Sequence, residues 1–158
     1  MEKRRCIVPG SFDPMTVGHL AIVLKASEIF DEVWVAILNN SDKKGTFTLA
    51  ERKQIAESTC SIVPNVKVIT ADGLLVDLAK KLGIKHIVKG VRNTIDFEYE
   101  QNMAKINNAL APDVQTIYIP CDPSFEIISS TFVKELYKND KNIDAYVHAD
   151  AIEILKNK

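Results

Sequence analysis

Short apolar runs alternate along the chain with longer segments in which apolar residues recur at helical spacing. The short runs predict five strands, over residues 5–8, 33–38, 66–69, 85–88 and 114–119. The run at 33–38 is almost unbroken, which is typical of a parallel strand that helices cover on both faces. Pro9-Gly10 follows the first run and is expected to end that strand.

The longer segments predict six helices, over residues 17–30, 48–62, 72–82, 94–110, 129–137 and 149–156. Thr48 and Glu51 have capping-box spacing, and Asp72 is expected to cap the third helix, which Gly83 ends. The crossovers are long enough for right-handed connections between parallel strands. We therefore predict an α/β fold, a Rossmann-like, doubly wound, five-stranded parallel sheet with helices on both faces.

Length and composition narrow the class of protein. A chain of 158 residues predicts one domain spanning 1–158, and 20 basic against 21 acidic residues lack the basic excess of a nucleic-acid binder. No apolar run approaches the roughly 18 residues that span a bilayer. The basic N-terminus is followed by Cys6, Ile7 and Val8 before Pro9, too few apolar residues for a signal peptide. We expect a cytoplasmic protein with no nucleic-acid or membrane partner.

The loop after the first predicted strand has the residues of a phosphate site. Gly10 allows close backbone approach, and Ser11 and Phe12 supply amides that could cradle a phosphate. Gly18-His19 begins the first predicted helix, where free N–H groups and the helix dipole favour an anion. The same dipole is expected to lower the pKa of His19. Taken alone, such a histidine is more often a capping or packing residue.

Two further polar clusters follow the fourth and fifth predicted strands, at residues 89–92 and 128–131. In the first, a glycine and a valine separate Lys89 from Arg92, whose planar fork suits phosphate. In the second, three hydroxyls precede a helix, where they could cap it or bind an anion. Each cluster alone is explained as well by surface charge or capping. Because all three follow parallel strands, together they predict a phosphate-binding crevice at the topological switch point.

Several segments carry a resemblance to a known family. They are Pro9-Gly10-Ser11-Phe12-Asp13-Pro14 with Gly18-His19, and residues 47–52, 89–92, 96–100 and 128–135. The chain resembles the nucleotidyltransferase superfamily in these motifs, and within it the bacterial phosphopantetheine adenylyltransferases. The resemblance covers essentially the whole chain. It supports the predicted fold and places the three polar clusters in one active site.

The resemblance implies an activity, a cofactor and an assembly. The family transfers the adenylyl group of ATP to 4'-phosphopantetheine, giving dephospho-coenzyme A and pyrophosphate in coenzyme A biosynthesis. It uses Mg²⁺, for which no protein side chain is assigned as a ligand here, and it forms homohexamers. Since the second pKa of a phosphate monoester is near 6, the acceptor is already an anionic nucleophile. The reaction therefore needs alignment and charge neutralisation more than a general base.

The resemblance also implies roles for individual residues. His19 is the catalytic residue and stabilises the transition state. The implied ATP-binding residues are Ser11, Phe12, His19, Gly90, Val91, Arg92, Glu100, Phe125, Glu126, Ile127, Ile128, Ser129, Ser130 and Thr131. The implied residues for the acceptor are Ser11, Lys43, Leu75 and Lys89. Lys89 stands where many members carry arginine, and Ser11 where others carry threonine.

Two other functions remain open from the residues alone. One is a different adenylyl- or cytidylyltransferase of the same superfamily, which would act on another small phosphorylated acceptor. The other is a non-catalytic nucleotide-binding module, which would bind ATP without turnover. His19 together with two basic clusters argues against the module, because a sensor does not need a transition-state donor.

Overall fold

The computed structural model describes residues 1–40, 42 and 44–158, and this part of the chain alternates strands with helices. The strands are β1 (Arg5–Gly10), β2 (Glu32–Asn39), β3 (Val66–Asp72), β4 (His86–Val91) and β5 (Gln115–Pro120). The helices are α1 (Val17–Ile29), α2 (Leu49–Cys60), α3 (Leu75–Leu82), α4 (Thr94–Leu110), α5 (Ser130–Lys138) and α6 (Ala149–Lys156). A short 3-10 helix covers Pro123–Phe125. No helix in the described ranges combines the length and apolarity needed to cross a membrane.

The strands form one parallel sheet in the order β3-β2-β1-β4-β5, which confirms the predicted fold. The chain runs outward from β1 to β3 and then returns to the other side of β1 for β4 and β5. The order therefore reverses between β1 and β4. These two strands are paired at Cys6–His86 and Ile7–Ile87, near their amino ends. Their carboxyl ends are left to diverge at the switch point.

Alternate residues of each strand enter two hydrophobic cores, one on each face of the sheet. Val8 and Val35 lie in the larger core, with buried residues of α1, α2, α5 and α6. Ile7 and Ala36 lie in the smaller core, which α3 covers. The helix α4 has no buried residue, and it contacts the sheet through Phe97, whose ring lies 5.0 Å from that of Tyr118. The predicted cover of helices on both faces is confirmed.

The local predictions at helix ends are partly confirmed. Thr48 and Glu51 form the expected capping box at the start of α2, and Gly83 ends α3 in the left-handed conformation with φ of 64°. The prediction that Asp72 caps α3 is wrong. Asp72 is the last residue of β3, and its Oδ1 accepts a hydrogen bond from Nδ2 of Asn39 at 2.8 Å. Leu74 stands at the cap position without a side-chain hydrogen bond.

The expected end of the first strand at Pro9-Gly10 is also wrong. Both residues belong to β1 and lie in register with Ala36 and Ile37 of β2. A proline is tolerated where a strand lacks a ladder partner on one side. Here the β4 side carries no pairing beyond Ile7, so the strand continues through Pro9 toward the switch point.

Candidate active site

A cavity of about 300 Å³ opens at the carboxyl ends of β1, β4 and β5, where the crevice was predicted. Nine of the residues predicted for the site line it: Ser11, Phe12, His19, Lys89, Gly90, Arg92, Glu100, Ile128 and Ser129. They come from the β1–α1 loop and the first turn of α1, from the end of β4 through α4, and from the segment before α5. Groups from three distant parts of the sequence are thus brought together by the parallel sheet.

Thr16 and His19 fix the first turn of α1 through reciprocal hydrogen bonds. The backbone N–H of Thr16 donates to Nδ1 of His19 at 2.9 Å, and the N–H of His19 donates to Oγ1 of Thr16 at 3.4 Å. Nδ1 is therefore an acceptor, so the proton of the neutral ring lies on Nε2. The ring is left with one donor, Nε2–H, on the side away from Thr16.

The electrostatic surroundings keep His19 uncharged. Burial, followed by the positive charges of Arg92 and Lys89, lowers the pKa of His19 from its ordinary 6.5 to about 4. The predicted direction is confirmed, with burial and these two cations as its causes. At neutral pH the imidazole can donate a hydrogen bond from Nε2 without carrying a charge. This makes it suited to stabilise negative charge that develops on a nearby oxygen.

The loop that carries Ser11 and Phe12 has an unusual backbone. Phe12 has a φ of 46°, a region that costs a bulky side chain on the order of 1–3 kcal/mol and persists only where the surroundings enforce it. Its ring is buried and meets the His19 ring edge-on, with centroids 5.1 Å apart. The buried guanidinium of Arg52 donates from Nη1 to the Ser11 carbonyl at 2.9 Å. These contacts hold the loop against His19.

Both cations on the opposite wall of the cavity have carboxylate neighbours. Nζ of Lys89 lies 3.2 Å from Oε1 of Glu100, and Nε of Arg92 lies 3.7 Å from Oδ2 of Asp96. The Arg92 backbone N–H also donates to that Asp96 oxygen, at 3.0 Å. The carboxylates orient the cations in the absence of ligand and offset part of their charge. An incoming phosphate would compete with them for the same N–H groups.

Gly90 lets the first helix come close to β4. A Cβ added at Gly90 would lie 2.7 Å from Cγ1 of Ile22, so any side chain here would force Ile22 or α1 to shift. The absence of a side chain therefore brings α1, with His19 one turn before Ile22, onto the strand that carries Lys89. Val91, the next residue, is paired with Pro120 of β5 and does not line the cavity.

The segment before α5 contributes part of its predicted set. Ser129 caps α5 by accepting from the Phe132 N–H at 3.0 Å, and both Ile128 and Ser129 line the cavity. Ser130 donates from Oγ to the carbonyl of Pro14 at 2.8 Å, which ties the start of α5 to the β1–α1 loop. The remaining predicted residues of this segment, which do not line the cavity, are Phe125, Glu126, Ile127 and Thr131.

Two residues predicted for the acceptor lie elsewhere. Leu75 is the first residue of α3, beyond the end of β3, and packs against the smaller core. It does not line the cavity. Lys43 lies outside the described residues. Both assignments stay predictions.

Gly10 and Gly18 of the predicted phosphate loop also line the cavity, and six further lining residues had not been assigned to the site: Val8, Pro9, Ile22, Val88, Asp96 and Cys121. Ile22 could have been found, because it lies three residues after His19 on one face of a helix. Asp96 stands in the first turn of the predicted fourth helix, where an acidic side chain is favoured, and shortly after Arg92. Cys121 directly follows the fifth strand, so the strand-end rule pointed to it as well.

The sequence matches a family model and a relative of known name over most or all of its length. Residues 7–136 match the model of a family described as cytidylyltransferase-like. A phosphopantetheine adenylyltransferase of Staphylococcus carnosus is 39% identical over 158 residues, which is 100% of this chain and 98% of that protein.

Solved structures show the same fold at low sequence identity. One is a protein of Vibrio parahaemolyticus described as a putative nicotinate-nucleotide adenylyltransferase, with a TM-score of 0.73 and 17% identity, covering 99% of this chain and 93% of that one. Another is a lipopolysaccharide core biosynthesis protein of Thermoplasma volcanium, with a TM-score of 0.55 and 16% identity, covering 77% of this chain and 98% of that one. The sequence matches and the shared fold together lead to one conclusion: the chain belongs to the cytidylyltransferase-like family of nucleotidyltransferases, in the group of the phosphopantetheine adenylyltransferases.

Proposed function

We propose that this protein transfers the adenylyl group of ATP to 4'-phosphopantetheine, giving dephospho-coenzyme A and pyrophosphate. The observation that carries the proposal is the meeting of a neutral His19 with Lys89 and Arg92 in one cavity at the switch point. The full-length likeness to a phosphopantetheine adenylyltransferase supports the choice of substrates. We place the reaction in coenzyme A biosynthesis, in the cytoplasm.

The reaction is an in-line displacement at the α-phosphorus of ATP. An oxygen of the acceptor phosphate forms the new bond, and the bond to the oxygen that bridges the α- and β-phosphates breaks. Pyrophosphate leaves with the electron pair of that bond. The attacking phosphate is already ionised, so no side chain has to remove a proton. The protein's part is to align the two phosphates and to neutralise the charge that develops.

His19 and the cations divide this task. Nε2–H of His19 donates to an oxygen of the α-phosphate, where negative charge accumulates in the transition state. Lys89 holds the acceptor phosphate, and Arg92 the phosphates of ATP. Ser11, Phe12 and the start of α1 add backbone N–H groups.

We assign the remaining predicted residues by the same resemblance. On the ATP side they are Gly90, Val91, Glu100 and residues 125–131. On the acceptor side they are Ser11, Lys43 and Leu75. Those that line the cavity would contact the nucleotide or the acceptor directly. The others would act only if the substrates extend beyond the cavity or the segments close over them.

We propose Mg²⁺ as the cofactor, bound together with ATP. Within the described residues, no three His, Cys, Asp or Glu side chains lie close enough to hold a metal ion. The cavity carboxylates of Asp96 and Glu100 already face Arg92 and Lys89. This arrangement fits Mg²⁺, which keeps several of its waters and is commonly held through substrate phosphates. Bound in this way, the ion would neutralise part of the phosphate charge.

We also propose that the chain assembles into a homohexamer. Four apolar side chains of α4 are half or more exposed, at Ile95, Tyr99, Ile106 and Leu110. Their spacing places them along one side of the helix. A contiguous apolar strip of this kind supports burial against another copy of the chain. Size-exclusion chromatography with light scattering should give the mass of six chains, and a monomer at micromolar concentration would contradict the assembly.

The activity is tested by direct product identification. The protein is incubated with ATP, Mg²⁺ and 4'-phosphopantetheine, and the products are identified by mass spectrometry. Dephospho-coenzyme A and pyrophosphate should form in equal amounts. Parallel reactions contain CTP in place of ATP, or nicotinate mononucleotide in place of the acceptor. Turnover confined to either of these would contradict the proposed substrates, and ATP binding without any turnover would indicate a binding module.

A further inference from the structure

Arg52, in the first turn of α2, is a buried cation that does not line the cavity. It is 8% exposed, and its Nη1 donates to the Ser11 carbonyl at 2.9 Å. Its buried Nε has no hydrogen-bond partner among the described residues. Within the same part of the chain, no carboxylate lies within ion-pair distance of the guanidinium. Burying a charge in this way costs free energy, so stability alone does not explain the position of Arg52.

The peptide group that Arg52 contacts lies between it and the cavity, because Ser11 and Phe12 line the cavity and Arg52 does not. The Ser11–Phe12 bond is trans, so its C=O and N–H point in opposite directions. With the carbonyl directed at Arg52, the N–H of Phe12 is directed toward the cavity side. Phe12 follows the end of β1, and among the loop hydrogen bonds of the described residues none has this N–H as donor. The N–H is therefore available to a ligand.

The backbone angle of Phe12 shows that this orientation has to be enforced. Its φ of 46° lies in the left-handed region, which a bulky side chain disfavours. Turning the Ser11–Phe12 peptide over would change this φ by roughly 180°, as between type I and type II turns, and return Phe12 to the extended region. The turned peptide would present the Ser11 carbonyl to the cavity in place of the N–H. The hydrogen bond from Arg52 opposes the turn, and its charged donor makes it one of the stronger kinds.

Other contacts hold the loop on both sides of this peptide. Asp13, the next residue after Phe12, accepts from the backbone N–H of Thr46 at 2.9 Å and from that of Phe47 at 2.8 Å. On the other side, Gly10 is still in register with β2. Loss of the contact with Arg52 should therefore release one peptide group and leave the rest of the loop in place.

We propose that Arg52 is a positioning residue, which holds the Ser11–Phe12 peptide with its N–H toward the cavity, where it donates to a phosphate group of ATP. The identification of the ligand as ATP rests on the proposed function, whereas the orientation of the peptide rests on the hydrogen bond and on the φ of Phe12. Arg52 acts through the Ser11 carbonyl and touches no reacting atom. Without it, the turned carbonyl oxygen would face the phosphate and repel it. ATP binding should therefore weaken more than use of the acceptor.

The first test removes the contact and measures ATP binding by calorimetry in the presence of Mg²⁺. Arg52→Met keeps the unbranched stem but loses the donor and the charge, and it should weaken ATP binding by about tenfold or more, as expected for a hydrogen bond to a charged group. Arg52→Lys keeps a donor and the charge and should recover most of the affinity. In both variants the KM for 4'-phosphopantetheine should change by less than about threefold.

Lys53→Met is the matched control, because it makes the same change of charge at the next residue of α2. Lys53 is half-exposed and pairs with Glu57 at 3.6 Å, a surface contact of small effect. This variant should bind ATP as the wild type does. Wild-type ATP affinity in folded Arg52→Met would overturn the proposal. Equal losses for ATP and the acceptor would also overturn it, because they would indicate a general effect on the fold.

A second measurement uses the wild type and keeps the test decisive if Arg52→Met does not fold. Exchange of the Phe12 amide hydrogen, followed by NMR, should slow by about tenfold or more when ATP and Mg²⁺ are added, because a bonded amide is protected. Unchanged exchange at saturating ATP would overturn the assigned orientation of the N–H. If the wild type binds ATP but makes no dephospho-coenzyme A, the proposed function fails, while ATP affinity and amide exchange still decide the role of Arg52.

Discussion

The backbone N–H of Thr16 points at Nδ1 of His19 from 2.9 Å, and this bond decides which nitrogen of the ring carries the proton. With Nδ1 occupied as an acceptor, the neutral ring must be the Nε2–H tautomer. Burial and the charges of Arg92 and Lys89 then keep it neutral, with a pKa of about 4. The N-cap residue of α1 thus fixes which nitrogen of His19, three positions later, can donate a hydrogen bond.

Nitrogen NMR of the ring checks this directly. The Nδ1 resonance of His19 should have the shift of an unprotonated nitrogen at pH 7, and Nε2 that of a protonated one. On acidification the ring should titrate with a midpoint of about 4, well below its ordinary 6.5. A midpoint near the ordinary value, or a proton on Nδ1, would contradict the assignment of Nε2 as the donor.

The lowered pKa of His19 also makes the protein's stability depend on pH. Between pH 6.5 and about 4, the unfolded chain binds a proton at this position that the folded protein does not. The free energy of unfolding should therefore fall as the pH drops through this window. In His19→Gln this contribution should disappear, since glutamine can keep the capping box but does not titrate. Urea unfolding at pH 7 and pH 4.5 measures how much free energy of unfolding each protein loses on acidification. Equal losses in the wild type and in His19→Gln would argue against a contribution from His19.

Removing the donor should slow the chemistry without unfolding the protein. His19→Ala is expected to lower kcat by on the order of 10²–10³, the usual effect of losing one preorganised donor. Thr16→Val is the matched control, because it keeps the Thr16 N–H but loses the hydroxyl cap, at about 1 kcal/mol of stability. The kcat of Thr16→Val should fall much less than that of His19→Ala. Near-normal turnover in folded His19→Ala would remove His19 from the mechanism.

The close approach at Gly90 predicts a coupled pair of substitutions. Gly90→Ala would force its methyl group into Ile22, whose Cγ1 lies 2.7 Å from the added atom, at a cost of about 1–3 kcal/mol for overpacking. Ile22→Ala removes the atoms in conflict but leaves a cavity. In the double variant the methyl group of residue 90 occupies part of that space. The double variant should therefore lose less free energy of unfolding than the two single variants lose together. Simple additivity in denaturant unfolding would show that the helix moves away instead.

The apolar pattern was sufficient for the architecture because burial on both faces of a parallel sheet leaves a strong signal in each strand. The local predictions failed where a contact with a distant part of the chain changed the role of a residue. Asp72 has a side chain typical of a helix cap, but it accepts a hydrogen bond from Asn39 on the neighbouring strand and ends β3 instead. Pro9 is typical of a strand end, but β1 is not paired with β4 at this position. The proline therefore removes no hydrogen bond between these two strands.

The site could be predicted as far as its residues follow strand ends. The clusters at His19, Lys89 and Ser129 were found in this way. Arg52 belongs to the motif at 47–52, but nothing in that motif predicts that it reaches the Ser11 carbonyl from the first turn of α2. Asp13 was visible in a motif, but its two backbone partners become apparent only once the chain is folded.

The pairing of β1 with β4 near their amino ends has a consequence for how substrates affect the whole molecule. The sheet consists of a three-stranded part and a two-stranded part, joined at Cys6–His86 and Ile7–Ile87. A nucleotide bound in the cavity, as proposed, would contact both parts where their main chains have separated. Its binding free energy would then add to the interactions that hold the two parts of the sheet together.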